Sequence, residues 1–318
     1  MTKKWLYFAL KLAVSALLIG FIVANFDIGS SARRLKEMEL ILLLPAALLF
    51  LLLLLNNTVR WGIVMRAIEA PLGFAKTFRL LYIGIFFNQT LPSAVGGDAV
   101  RMYLARKEGL TLQGAINGVM LERVVTLIGL ILLVVVTQPF LLERIGDNPA
   151  KYIFPAFAVL AVIGVVFLML LDRIAKRFQD YKIVRWLANL AADTKGLFFA
   201  PALAAAGVAL GVMGNILVAA MVYMLAMSLG LEVTLIDCLV LIPPVLLITT
   251  IPISIAGWGV REGAMVAAFA LIGVAEGDAF ALSILFGLVG IIVSIPGGLL
   301  WIAGGYRKSD IAEEAPIH

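Results

Sequence analysis

The sequence predicts an all-α polytopic membrane protein, with six full transmembrane helices plus two re-entrant broken-helix hairpins in inverted-topology repeats. Three observations carry that expectation. Hydrophobic residues make up 63% of the 318 and charged residues 14%, against roughly 25% charged in a soluble domain. Mean hydropathy is +1.07. Six apolar runs reach spanning length, and two further apolar regions are broken by proline, glycine and charge.

The first run, 5–25, follows Lys3 and Lys4. About 20 apolar residues is spanning length, and no small-residue cleavage site follows, so it reads as a first transmembrane helix and not as a signal peptide. The runs at 40–61, 112–141, 151–171, 199–229 and 279–303 are each long enough, at 1.5 Å per residue, to cross a core of ~30 Å. Residues 78–108 and 236–274 differ. Each reads as two half-helices meeting at a broken tip, which a bilayer tolerates only where the freed backbone is buried in protein or faces water.

Composition excludes several function classes. Cys238 is the one cysteine and His318 the one histidine, so disulfide scaffolds, zinc sites and histidine acid/base chemistry are not expected, and neither metal nor cofactor is. The net charge of +5 comes with no nucleic-acid-binding module and reads as topology. The 172–196 loop carries Arg173, Lys176, Arg177, Lys182, Arg185 and Lys195 against three aspartates, which places it in the cytoplasm. With the first hairpin entering from that side, both termini and the loop holding Arg60, Arg66, Lys76 and Arg79 are cytoplasmic, while 143–150 and 274–278 are external. Arg33, Arg34 and Lys36 then lie outside, in a segment shared with Asp27, Glu37 and Glu39 that reads as a short interfacial helix. Arg60 and Trp61 read as a cytoplasmic helix-end anchor, with gathering of headgroups as the second reading.

The two broken regions match at an offset of 160 residues. Thr90-Leu91-Pro92 faces Thr250-Ile251-Pro252, Val95 faces Ile255, Gly97 faces Gly257, and Val100-Arg101 faces Val260-Arg261. One membrane domain, 1–318, therefore divides into repeat 1 at 40–141 (hairpin 78–108), repeat 2 at 199–303 (hairpin 236–274) and a polar cytoplasmic tail at 304–318. Inverted repeats with discontinuous helices are how secondary transporters are built. The alternative is that GG, PP and GWG are packing devices in a helical bundle, although packing glycines do not require the arginine that follows both breaks.

The stretch NQTLPSAVGGDAVR, the LERVV some twenty residues later, the Arg60-Trp61 pair and PISIAGWGVRE together resemble the transmembrane, flippase-like region of lysylphosphatidylglycerol synthases, over roughly 5–305. The resemblance implies a protein of the prokaryotic cytoplasmic (inner) membrane that moves lipids. The soluble aminoacyl-transfer domain of full-length synthases finds no room after Tyr306, so lipid aminoacylation is not expected.

Ionisable side chains inside a span cost about 2.5 to 3.5 kcal/mol on insertion scales, so each needs a partner or a purpose. Arg101 and Arg261 lead the candidates. Each follows a glycine break, at Gly96 and Gly97 or at Gly257, whose half-helix N-terminus offers amides beside a guanidinium, the elements of a phosphate receptor. The competing reading pairs Arg101 with Asp98 and Arg261 with Glu262 as internal salt bridges. Glu122 and Arg123 lie near the bilayer midplane, with Glu122 expected to anchor an arginine, and to titrate if transport is proton-coupled, and Arg123 to face the headgroup path. Asn88 precedes the first tip and completes the candidate set with Arg60. Asn56, Asn57 and Asn215 read as partners for backbone or a neighbouring helix. The expected ligand is a phospholipid or a lipid-linked phosphate, and the expected activity translocation. A membrane enzyme or an accessory scaffold acting on phospholipid or polyprenyl-phosphate intermediates is the second reading, and an enzyme would need the histidine, metal-binding carboxylates or activated nucleophile not found here.

Overall fold

The computed structural model describes residues 34–90, 96–145, 182–249 and 259–304, together with the isolated positions 152, 156, 159 and 163. Among the described residues the protein is all-helical. After a single turn at Leu40–Leu42 come α1 (Leu43–Ala67), α2 (Phe74–Thr90), α3 (Gly96–Lys107), α4 (Leu112–Ile145), α5 (Lys182–Phe199), α6 (Pro201–Ser228), α7 (Leu235–Thr249), α8 (Val260–Ala270) and α9 (Glu276–Ala303).

Four helical stretches, Leu40–Ala67, Leu112–Phe140, Pro201–Ser228 and Glu276–Ala303, are long and apolar enough to cross a membrane. They coincide with four of the six expected spans. The other two, 5–25 and 151–171, lie outside the described residues apart from isolated positions. The first span runs past Arg60 and Arg66 to Ala67, because the arginine that ends the apolar run in sequence is buried in the helix. Residues 182–199 form a helix, where the sequence predicts a loop over 172–196.

The two broken regions are helix pairs. Helices α2 and α3 have 17 and 12 residues, α7 and α8 have 15 and 11, each shorter than the ~20 residues that cross a hydrocarbon core. Within each pair the helices pack on one another. The connecting tips, 91–95 and 250–258, lie outside the described residues. Local sequence fixes where the pieces start. Thr111 Oγ1 accepts the Gly114 amide at 3.0 Å and caps α4. At α7, Thr234 Oγ1 accepts the Asp237 amide at 3.2 Å while Asp237 Oδ2 accepts the Thr234 amide at 2.8 Å, a reciprocal capping arrangement.

The helix order recurs. Starts at 43, 74, 96 and 112 are followed by starts at 201, 235, 260 and 276, offsets of 158 to 164 residues. Packing recurs too: α1 lies on its counterpart α6, α2 packs on α9, and the counterpart of α2, α7, packs on α4. Counterpart helices run in opposite senses. The Glu39 amide, just before α1, donates to Ser228 O at the end of α6 at 2.8 Å, and Arg34 pairs with Asp278 at the start of α9 at 2.9 Å. At the far end of α1, Ala70 lies beside Gly114 at the start of α4, and Asn117 Nδ2 donates to Asp193 of α5 at 2.5 Å. Helices α4 and α6 approach closely at Gly129 and Gly211, where a Cβ on Gly129 would stand 2.4 Å from the Gly211 backbone carbon. Small residues are what allow such an approach in a membrane bundle, where lipid offers no hydrophobic drive for association.

Candidate functional site

Three helices bring charges together in the first half of the bundle. Asp98 and Arg101, three apart on α3, share a face. Glu122 and Arg123 are adjacent on α4 and so point about 100° apart, each to a different partner. Glu122 Oε1 accepts from Arg60 Nε at 3.1 Å and from Arg60 Nη2 at 2.5 Å. Its Oε2 accepts from Arg101 Nη2 at 3.3 Å. Asp98 Oδ1 accepts from Arg101 Nη2 at 2.7 Å, and Oδ2 accepts from Arg123 Nε at 2.8 Å with Arg123 Nη2 in ion-pair contact at 2.7 Å. The charges alternate along one chain: Arg60, Glu122, Arg101, Asp98, Arg123. Arg60, Glu122, Arg101 and Asp98 are buried, whereas the Arg123 side chain is 46% exposed.

Three guanidiniums against two carboxylates leave a formal charge of +1, and that excess emerges at Arg123. A guanidinium offers five N–H donors, and among the described residues the Arg123 Nη1 donors make no hydrogen bond. The buried end is rigidly held. The Trp61 ring lies under Arg101, with its centroid 4.9 Å from Cζ, a cation–π contact. Across from it, Gly84 gives Arg101 room, since a Cβ there would stand 2.4 Å from Arg101 Cγ. Asn88 Oδ1 accepts the Gly97 amide at 2.8 Å, tying the end of α2 to the first turn of α3, which Gly96 opens.

A second, smaller cluster follows the second break. Gly259 precedes α8 with φ +87°, a conformation that glycine adopts without steric cost. Glu262 Oε2 accepts the Gly259 amide, and Oε1 accepts from Arg261 Nε at 3.1 Å, Arg261 Nη2 at 2.7 Å and Ser283 Oγ at 3.3 Å. This cluster is formally neutral and buried.

Both leading arginines are thus engaged by carboxylates, Arg101 by Asp98 and Glu122 and Arg261 by Glu262. Two of the first-turn amides expected to be open at the half-helices are taken by the Asn88 and Glu262 side chains. Gly257 lies outside the described residues. The expectation for Arg60 and Trp61 is corrected: neither anchors a helix end. Both are buried in α1, Arg60 because Glu122 neutralises it from α4 and Trp61 because it backs Arg101. Sequence reading missed the roles of Trp61 and Ser283, whose partners lie 40 and 22 residues away respectively. Asn56 Nδ2 donates to Leu210 O of α6 at 2.9 Å, and Asn215 Nδ2 to Gly211 O of its own helix at 2.8 Å.

Two open cavities, of about 490 and 420 Å³, flank the turn between α3 and α4. One is lined by Gly73, Phe74, Lys76 and Glu108 among others, the second by Glu69, Thr111 and Asp193 among others. Arg101 and Arg261 line neither. Lys76 and Arg79 of α2 both bond Glu108 just after α3, Lys76 at 2.7 Å, closing the mouth of the first helix pair. The Lys76 hydrogen bond, with the Lys76 and Arg79 charges, holds the Glu108 carboxyl below the usual glutamate range against the opposing effect of burial. Among the described residues no group of three or more histidine, cysteine, aspartate or glutamate side chains is placed to hold a metal ion.

Among relatives, a UPF0104 membrane protein of Methanothermobacter thermautotrophicus is 30% identical over 98 residues, 31% of this chain and 27% of the relative. The match therefore covers little more than a quarter of that relative's length. The family model of the lysylphosphatidylglycerol synthase TM region matches residues 8–298. With its apolar spans, and with both broken helix pairs inside that match, this multi-pass membrane protein belongs to the lysylphosphatidylglycerol synthase TM-region family.

Proposed function

We propose that the protein is a lipid translocator, moving an anionic phospholipid or lipid-linked phosphate headgroup between leaflets past its two broken helix pairs, and that it does no covalent chemistry. One observation carries this reading: the buried alternating charge chain has one guanidinium more than it has carboxylates, and the surplus reaches the surface of a spanning helix at Arg123. Arg123 is the twelfth residue of α4, a rise of ~17 Å from the helix start and deep in the hydrocarbon region. Asp98 meets one edge of the Arg123 guanidinium but is shared with Arg101, and the net positive charge left at that depth is costly unless a further anion meets it. A lipid phosphate supplies that anion while its acyl chains remain in the bilayer.

The short helix pairs are proposed to be re-entrant hairpins, and 40–141 and 199–303 to be inverted repeats. The opposite running senses of α1 and α6, and of α4 and α9, support that reading, which fits a pseudo-two-fold axis in the membrane plane. The end marked by Ala70, Glu108 and Asp193 is proposed to be cytoplasmic, with both termini on that side of the inner membrane. The test is reconstitution in liposomes carrying fluorescently labelled phospholipids, read by an impermeant quencher. Faster exchange of anionic than of zwitterionic probes is expected, and equal rates with and without protein would sink the proposal.

A further inference from the structure

The segments flanking the two breaks meet on one helix. Helix α9 carries a buried face of small residues at Ser283, Gly287, Gly290 and Ser294. A Cβ on Gly287 would stand 2.3 Å from Arg261 Nη2, and one on Gly290 would stand 2.8 Å from Gln89 Nε2. Arg261 belongs to the first turn after the second break, and Gln89 is the last residue but one before the first break. Residues three apart on a helix have Cβ positions ~5 to 6 Å apart. Adding the two close approaches, the Gln89 amide nitrogen and the Arg261 guanidinium stand at most about 11 Å from each other. Hydrogen bonds of about 2.9 Å to two oxygens of one phosphate span roughly 8 Å between donor atoms, inside that bound.

The Gln89 side chain is half-buried, and among the described residues its amide makes no side-chain hydrogen bond. Its counterpart 160 residues on, Thr249, instead turns its hydroxyl back to Leu246 O at 2.8 Å. A half-buried primary amide in an apolar bundle needs a polar partner, and Arg261 lies against the neighbouring turn of the same α9 face.

We infer that Gln89 is a ligand-binding residue: its amide N–H and the Arg261 guanidinium take the same phosphate group, so that one headgroup is held by both broken helix pairs at the Gly287 and Gly290 turn of α9. The inference rests on the translocation reading above and narrows it. A phosphate held this way releases only when the two pairs separate along α9, which couples binding to the relative position of the repeats. An uncharged donor beside a guanidinium adds geometric selection for an oxyanion without adding general attraction for anionic lipid.

The test uses the full chain in liposomes with NBD-labelled phosphatidic acid as the probe, separating the half-saturating probe fraction from the maximal rate. Gln89→Leu is expected to raise the half-saturating fraction about ten-fold with thermal unfolding unchanged. Gln89→Glu, which sets a carboxylate beside Arg261, is expected to suppress exchange further. Combining Gln89→Leu with Arg261→Lys should cost less than the product of the single losses, because both act on one phosphate. An unchanged half-saturating fraction in Gln89→Leu, or losses that multiply, overturns the assignment. Should Gln89→Leu not remain monodisperse, Gln89→Asn is read the same way. Competition by inorganic phosphate shows that the site reads the oxyanion alone, and no competition shows that it requires the lipid; Gln89 is a ligand in either case. If the wild type moves no lipid, the translocator reading fails. Phosphate-dependent thermal stabilisation that is present in the wild type and lost in Gln89→Leu then still decides for Gln89, and equal stabilisation decides against it.

Discussion

Arg123 donates from Nε to one oxygen of Asp98 at 2.8 Å and sets Nη2 2.7 Å from the same oxygen, while the other oxygen of that carboxylate holds Arg101. One carboxylate thus serves a half-exposed arginine and a buried one. The two arginines should therefore respond differently to removal. Arg123→Ala leaves Asp98 paired with Arg101, so stability should fall by no more than about 1 kcal/mol. Asp98→Ala leaves Arg101 buried with Glu122 alone and should cost ~3 to 5 kcal/mol. Thermal unfolding of the two purified variants checks the contrast, and equal losses would mean that Arg123 is as structural as Arg101.

Glu122 is the hub of the chain, bonded to arginines from α1 and α3. Glu122→Gln keeps the shape and removes the charge, which leaves Arg60 buried without its carboxylate and Arg101 sharing Asp98 with Arg123. Loss of ~3 to 5 kcal/mol is expected, read as a large drop in melting temperature in detergent. A change within 1 °C would show that the network does not hold the bundle.

Close helix approach gives a steric prediction. Gly129→Ala places a methyl 2.4 Å from Gly211 backbone, which cannot move aside as a side chain would. Overpacking of this kind costs about 1 to 3 kcal/mol. Gly62→Ala meets nothing within 4 Å and should be neutral or stabilising by up to ~1 kcal/mol, because alanine is the better helix former. Gly129→Ala should lower the melting temperature, and Gly62→Ala should leave it unchanged or raise it.

The mouth of the first helix pair should be sensitive to acid. The Glu108 pKa is lowered in the folded protein, first by the Lys76 hydrogen bond, so its contribution to stability is full above the unfolded value. That contribution is lost as pH falls through the folded value. Lys76 and Arg79 are both substantially exposed, and solvent screening keeps the effect below about 1 kcal/mol. The stability difference between wild type and Glu108→Gln should be small near pH 7, shrink in high salt, and vanish below the folded pKa. A difference that grows on acidification would contradict the pairing.

Four of the six expected spans are legible because length and apolarity alone decide them, and Arg101 with Asp98 because three-residue spacing puts them on one helix face. Arg60 departs from its sequence expectation for an equally physical reason. A charge at the end of an apolar run looks like an interface until Glu122, 62 residues away, is brought opposite it. Helix α5 was hidden by its basic residues, although Ile183, Leu187, Leu190, Thr194 and Leu197 recur at helical spacing, and the last three are buried. Gln89 had no signal in the sequence, since its meaning comes from Gly290 on a helix two hundred residues on.

The most direct test of the account pairs two readings on one variant: exchange of an NBD-labelled anionic phospholipid between leaflets, and thermal unfolding, for wild type, Arg123→Lys and Arg123→Ala. Losing a charge-assisted hydrogen bond to phosphate forfeits roughly 1.5 to 3 kcal/mol, about 10- to 150-fold. Exchange should therefore fall by at least ten-fold in Arg123→Ala with little change in stability. Arg123→Lys should recover part of it, since lysine keeps the charge and loses the fork. Wild-type exchange rates persisting in Arg123→Ala, or rate and stability falling together in both variants, would show that Arg123 is a strut and that no lipid phosphate is read there.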